Sequence, residues 1–131
     1  MAWCFDPNRP IYAQLTERLR TRIASGVYPP GSKLPAVREL AADAGANPNT
    51  LQRAFAELER EGLIFTQRTS GRFVTEDPEA VNAVRRRLAC EQVDAYLSSM
   101  AAIGYCAGEA AAMAAEQAAQ KELIPEKEEE S

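Results

Sequence analysis

Asn47-Pro48-Asn49-Thr50-Leu51-Gln52-Arg53-Ala54-Phe55-Ala56-Glu57-Leu58 is the stretch on which the fold of this 131-residue chain turns. Asparagine is among the preferred N-caps, because its side-chain oxygen can accept from an unpaired N–H of the first helical turn. Proline fits the next position, where its missing N–H would be unpaired anyway. Leu51, Ala54, Phe55 and Leu58 then recur at helical spacing as one apolar stripe, and Gly62 ends the helix. The first turns carry a dense polar set: Asn47, Asn49, Thr50, Gln52 and Arg53.

Upstream, Val37, Leu40 and Ala41 mark a second, shorter helix that Gly45 stops, so two helices meet through a short link. Farther back, Pro10 opens a helix over 10–25. Ile11, Leu15, Leu19 and Ile23 form its stripe, and Gly26 stands at the left-handed C-cap. Tyr28-Pro29-Pro30-Gly31 is a turn-rich connector, and Lys33-Leu34 before Pro35 is extended. Downstream, Leu63-Ile64-Phe65-Thr66 and Arg72-Phe73-Val74-Thr75 are β-prone, and Gln67-Arg68-Thr69-Ser70-Gly71 supplies a turn between them. Three helices followed by a hairpin is the order of a winged helix-turn-helix, expected over residues 1–76.

Glu76-Asp77-Pro78 breaks the pattern. Beyond it, Val81, Val84, Leu88, Val93, Leu97 and Met100 describe one long amphipathic helix, interrupted at Ile103-Gly104-Tyr105 and followed by an alanine-rich helix over 107–119. Two helices with an apolar face and no third layer are marginal alone. Residues 77–120 are therefore expected to be a dimerisation unit, with those six residues on the pairing face. Residues 121–131 form an acidic tail whose composition predicts disorder. The fold class expected is mainly α with a small β-hairpin: an N-terminal winged helix-turn-helix plus a C-terminal two-helix dimerisation unit.

Composition narrows the function. Apolar residues make up 46%, enough for a core, and the chain contains no histidine. Imidazole acid–base chemistry, Ser-His and Cys-His nucleophile pairs and imidazole metal sites are excluded. No enzyme, metal or cofactor is expected. The N-terminus lacks the features of a signal peptide and no apolar run is long enough for a membrane span, so a cytoplasmic protein without membrane association is expected. Cys4, Cys90 and Cys106 are too few and too scattered for a disulfide framework, and read as buried or half-buried thiols. A thiol signal through Cys90 or Cys106 stays open. The net charge of −4 divides unevenly: residues 1–76 carry ten basic and eight acidic side chains, residues 77–131 five and eleven. A slightly basic unit joined to an acidic one is compatible with binding phosphate.

Pro10-Ile11-Tyr12-Ala13-Gln14-Leu15, Pro30-Gly31-Ser32-Lys33-Leu34-Pro35, Arg38-Glu39-Leu40-Ala41, Asn47 to Ala54, Glu57 to Ile64 and Gly71-Arg72-Phe73-Val74 together resemble the N-terminal domain of GntR-type regulators. The resemblance covers residues 10–75 almost continuously, and the short two-helix remainder looks like the YtrA branch. It implies a DNA-binding transcription regulator, a repressor of its own operon, often one encoding an ABC transporter. The partners implied are double-stranded DNA at an inverted repeat and a second copy of the chain; any effector is unidentified. It also places Arg38, Asn47, Asn49 and Gln52 among the DNA contacts, and the wing tip at the minor groove.

The residue chemistry agrees. Asn and Gln pair bidentately with adenine and Arg with guanine, so Asn47, Asn49, Thr50, Gln52 and Arg53 could read base edges. Asn47 caps its helix, touches phosphate, or does both; Arg53 reaches DNA or packs against the second helix through its stem. Lys33, Arg68, Ser70, Gly71 and Arg72 would meet the backbone around the wing. A winged helix that docks another protein is the alternative, although such a face would show more aromatic anchors. Two departures from the family pattern stand out. Ala36 replaces the usual serine cap three residues before Glu39, and Cys106, three before Glu109, is a poor cap that leaves the last helix to fray or lean on a partner.

Overall fold

A computed structural model describes residues 3–121. The expected tail therefore lies, apart from Lys121, outside the described residues. Five helices and one hairpin follow in order: α1 (Ile11–Ser25), α2 (Val37–Ala44), α3 (Pro48–Arg60), β1 (Ile64–Gln67), β2 (Gly71–Val74), α4 (Pro78–Ala102) and α5 (Ala107–Gln120). Within the described residues they form two compact units, 3–88 and 89–121, with the break inside α4.

In the first unit the punctuation residues act as the sequence predicts. Gly26 ends α1 at φ 89° and Gly45 ends α2 at φ 69°. Asn47 caps α3, its Oδ1 accepting from the Asn49 N–H at 2.8 Å. The apolar stripes of the three helices meet in one core: Leu15, Leu19 and Ile23 from α1, Leu40 and Ala41 from α2, Leu51, Ala54, Phe55 and Leu58 from α3. Ile11, expected in the same stripe, is instead exposed in the first turn of α1. The buried Gln14 is fully engaged: its carbonyl accepts from Asp6 N–H at 2.7 Å and its amide donates to the carbonyls of Asp6 and Arg9. Burial of a polar group is tolerated on those terms.

The hairpin closes the core's open side with Leu63, Ile64 and Val74. Its strands pair antiparallel with Ile64 opposite Val74 and Gln67 opposite Gly71, each strand lying within one residue of its expected span. The extended segment before α2 lies along the free edge of β2. Leu34 N–H donates to Arg72 O at 2.8 Å, and Val74 N–H donates to Ser32 O at 2.9 Å.

The first unit reaches past the expected boundary at residue 76. Val81 and Val84 are buried in the same core, Leu88 packs half-buried against it, and Arg85 Nε donates to the Ala24 carbonyl at the end of α1. This corrects the pairing face expected of Val81, Val84 and Leu88. An amphipathic stripe says that a face will be covered but not by what, and here the chain covers these three itself. The cysteines also differ from expectation: all three are exposed. Trp3 and Phe5 take the inward positions of the N-terminal arm and leave Cys4 between them outside.

In the second unit Ile103-Gly104-Tyr105 breaks the helix as expected, and Gly104 adopts φ 103°. Tyr96 Oη donates to the Ala110 carbonyl at 2.8 Å, and Ala110 is the buried residue of α5. The poor cap expected at Cys106 is instead one half of a reciprocal capping box with Glu109. The Glu109 carboxylate accepts the Cys106 backbone N–H at 2.9 Å, and that bond holds its pKa below the ordinary carboxylate range. Val93, Ile103 and Tyr105 remain exposed, and Leu97 and Met100 only half-buried. Among the described residues no helix is long and apolar enough to cross a membrane.

The start of α2 yields a stability prediction. Ala36 occupies the N-cap with extended backbone and no side-chain bond to the helix, three residues before Glu39. Ala36→Ser is expected to raise stability by about 0.5–2 kcal/mol. Thermal denaturation checks this, and an unchanged or lower midpoint would contradict the cap's vacancy.

Candidate nucleic-acid interface

The first turn of α3, the start of α2 and the hairpin enclose an open cleft of about 580 Å³. Leu34 to Arg38 line one wall, Pro48, Asn49 and Gln52 a second, and Ser70 to Arg72 with Lys33 a third. Seven of the residues expected at DNA are thus brought together: Lys33, Arg38, Asn49, Gln52, Ser70, Gly71 and Arg72.

Local geometry explains how. The edge pairing of residues 31–34 with β2 carries Lys33 alongside the wing. A Cβ built on Gly71 would lie 3.1 Å from Lys33 Cε, and Gly71 has φ +108°, a conformation few other residues adopt. Glycine therefore lets the lysine stem pass close beside the turn of the wing. Arg38 projects from α2, exposed. Among the described residues, the side chains of Lys33, Arg38 and Arg68 form no ion pair or hydrogen bond with the rest of the chain. Other arginines are committed. Arg20 makes a two-pronged bond to Glu61 at 3.0 and 2.5 Å that ties α1 to the end of α3, and this bond, ahead of opposing desolvation, raises its pKa. Arg22 lies 4.3 Å over the Trp3 ring, and Arg60 pairs with Glu57.

The remaining expected residues lie elsewhere. Asn47 serves as the cap of α3, and Thr50 and Arg68 do not line the cleft. Arg53 stacks on Tyr12 of α1 with its guanidinium carbon 3.7 Å from the ring centre. It does pack within the protein, though against α1 and not against α2. Pro48 has no N–H and that of Asn49 is taken by the cap, so side chains more than free amides carry the helix's contact surface.

Sequence reasoning missed one connection inside the cleft. Arg72 Nη2 donates to Gln52 Oε1 at 3.0 Å, and its guanidinium carbon sits 5.0 Å from the centre of the buried Phe55 ring. The residues are twenty positions apart and on different elements, and no periodicity reports such a meeting. Each alone reads as a polar surface side chain.

Known proteins are similar to this chain in sequence and fold. The model of the bacterial regulatory proteins, gntR family, matches residues 11–74. A GntR family transcriptional regulator from Listeria monocytogenes is 36% identical, with a TM-score of 0.79 covering 86% of this chain and 98% of that one. The HTH-type transcriptional repressor YtrA of Bacillus subtilis is 47% identical over 74 residues, 55% of this chain and 57% of that one. A crystal structure of AraR(DBD) in complex with operator ORX1 is 28% identical, with a TM-score of 0.52 covering 57% of this chain and 95% of that one.

Proposed function

The chain belongs to the gntR family of bacterial regulatory proteins and is a DNA-binding transcription regulator, not an enzyme; from that premise we propose that it is a dimeric repressor gripping an inverted-repeat operator through the cleft between α3 and the wing. The observation that carries this reading is the set of exposed cations with no partner among the described residues, Lys33 and Arg38 at the rim of the cleft and Arg68 on the turn of the wing. An exposed cation with a carboxylate neighbour gains little from pairing, and one with none has its whole charge available for phosphate. Asn49 and Gln52 line the same cleft as Lys33 and Arg38, on a helix of the kind that a major groove admits.

Pairing is supported by the second unit. Val93 is 53% exposed and Ile103 70% exposed, beside the half-buried Leu97 and Met100. A patch of this kind on so small a unit is covered economically by its own copy, and a two-fold axis then offers two recognition helices to two half-sites. The pairing residues are Val93, Leu97 and Met100, joined by Ile103. Repression of the chain's own operon, often one encoding an ABC transporter, follows the resemblance to the YtrA branch.

Selection of bound duplexes from random DNA tests the reading. The expected product is an inverted repeat, its half-sites spaced by about one helical turn. Enrichment of single, unpaired half-sites would contradict the dimer, and no enrichment would contradict operator recognition.

A further inference from the structure

A free glutamine on a recognition helix has two ends to offer: its amide donates and its carbonyl accepts, the pattern that matches adenine N7 and N6. Gln52 is not free. Its carbonyl oxygen accepts from Arg72 Nη2 at 3.0 Å. Arginine carries only donors, so the atom of Gln52 that faces it must be the oxygen, and the amide nitrogen is left facing away from the wing. The arginine is itself held. Its guanidinium lies against Phe55, which is 1% exposed, and its Nε is buried without a partner among the described residues. A guanidinium seated on an aromatic face with one donor already desolvated is poorly disposed to swing out to a phosphate.

We propose that Arg72 is a positioning residue acting through Gln52. It turns the carboxamide so that only donors face the groove, and the pair selects a base edge made of acceptors, guanine with O6 and N7, in place of the adenine expected of glutamine alone. Adenine at that position would require one carbonyl to serve both the guanidinium and the adenine amine. This assignment rests on the cleft being the DNA surface, and it goes further in giving the wing a say in what α3 reads.

The experiment is selection from a random duplex library with the wild-type chain, Gln52→Ala, Arg72→Met and Arg72→Lys, each followed by affinity measurements on the selected site and its single-base variants. Met keeps an unbranched stem on Phe55 and removes the donors; Lys restores a donor and the charge. Wild type is expected to prefer guanine at one position of each half-site, and Gln52→Ala to lose that preference. Arg72→Met is expected to move it toward adenine, changing the guanine-to-adenine ratio by about 5- to 150-fold while other positions keep their preferences. Arg72→Lys should recover part of the guanine preference. If Arg72→Met does not fold, wild type against Gln52→Ala still decides, since adenine at the Gln52 position would overturn the proposal. It would also be overturned if Arg72→Met weakened every sequence equally and flattened the salt dependence, the behaviour of a phosphate contact. A wild-type chain that enriches no sequence would defeat the operator reading itself, whereas these outcomes leave that reading standing.

Discussion

Replacing Phe55 by alanine is expected to destabilise the winged unit by about 3–5 kcal/mol, a large part of what a domain of this size has to lose. Phe55 is among the largest fully buried side chains, 1% exposed, on the inner face of α3 where the stripes of α1 and α2 and the hairpin residues converge. Truncation removes most of a buried ring and leaves a cavity that rigid neighbours such as Leu15 and Leu58 fill only in part. The ring is also the seat of Arg72, so the wall of the cleft loses its support in the same step. Urea denaturation with a two-state fit measures the loss, and operator affinity should fall with it. A change under about 1 kcal/mol would mean that the ring is not enclosed as described.

The second large effect is on binding. Three cations per protomer without a partner among the described residues, Lys33, Arg38 and Arg68, amount in a dimer to about six neutralised phosphates, and the logarithm of the binding constant should fall against log salt with a slope of about −5. Between 50 and 200 mM salt that is a loss of about a thousandfold. A single winged unit with half the contacts would lose only about fortyfold, so the slope also reports the stoichiometry. Arg38→Ala should reduce the magnitude of the slope by about one per protomer and weaken all duplexes nearly alike if its partner is phosphate. A slope near zero would contradict electrostatic docking of this face.

The elements carrying these effects were largely legible in the sequence, for a local reason. Pro10, Gly26, Gly45 and the Asn47-Pro48 pair act within one turn of their own positions, and a periodic apolar stripe needs no knowledge of its partner to announce a helix. The hairpin was legible from Gly71 and its flanking β-prone runs, within a residue at each strand. What failed was long-range. The spacing of Val81, Val84 and Leu88 predicts a covered face, yet nothing local distinguishes a second copy of the chain from the protein's own core as its cover. Ile11 fits the stripe of α1 but falls in the exposed first turn.

The cleft divides along the same line. Lys33, Arg38, Asn49, Gln52, Ser70, Gly71 and Arg72 could be grouped from residue type and the resemblance of their motifs. What each is doing could not be. Arg53 stacking on Tyr12 and Arg72 holding Gln52 depend on how elements pack across the core, and arginine's fixed charge makes every such residue look alike until its partner is seen. The exposure of Cys4 follows similarly from which neighbours the arm turns inward.

The most direct test is to titrate the isotope-labelled chain with its selected operator duplex and follow every backbone amide by NMR. The largest changes are predicted at Lys33, Arg38, Asn49, Gln52 and Gly71, around the cleft between α3 and the wing. Changes confined to the Trp3 arm or to helix α5, with those five amides unmoved, would contradict DNA recognition by this face.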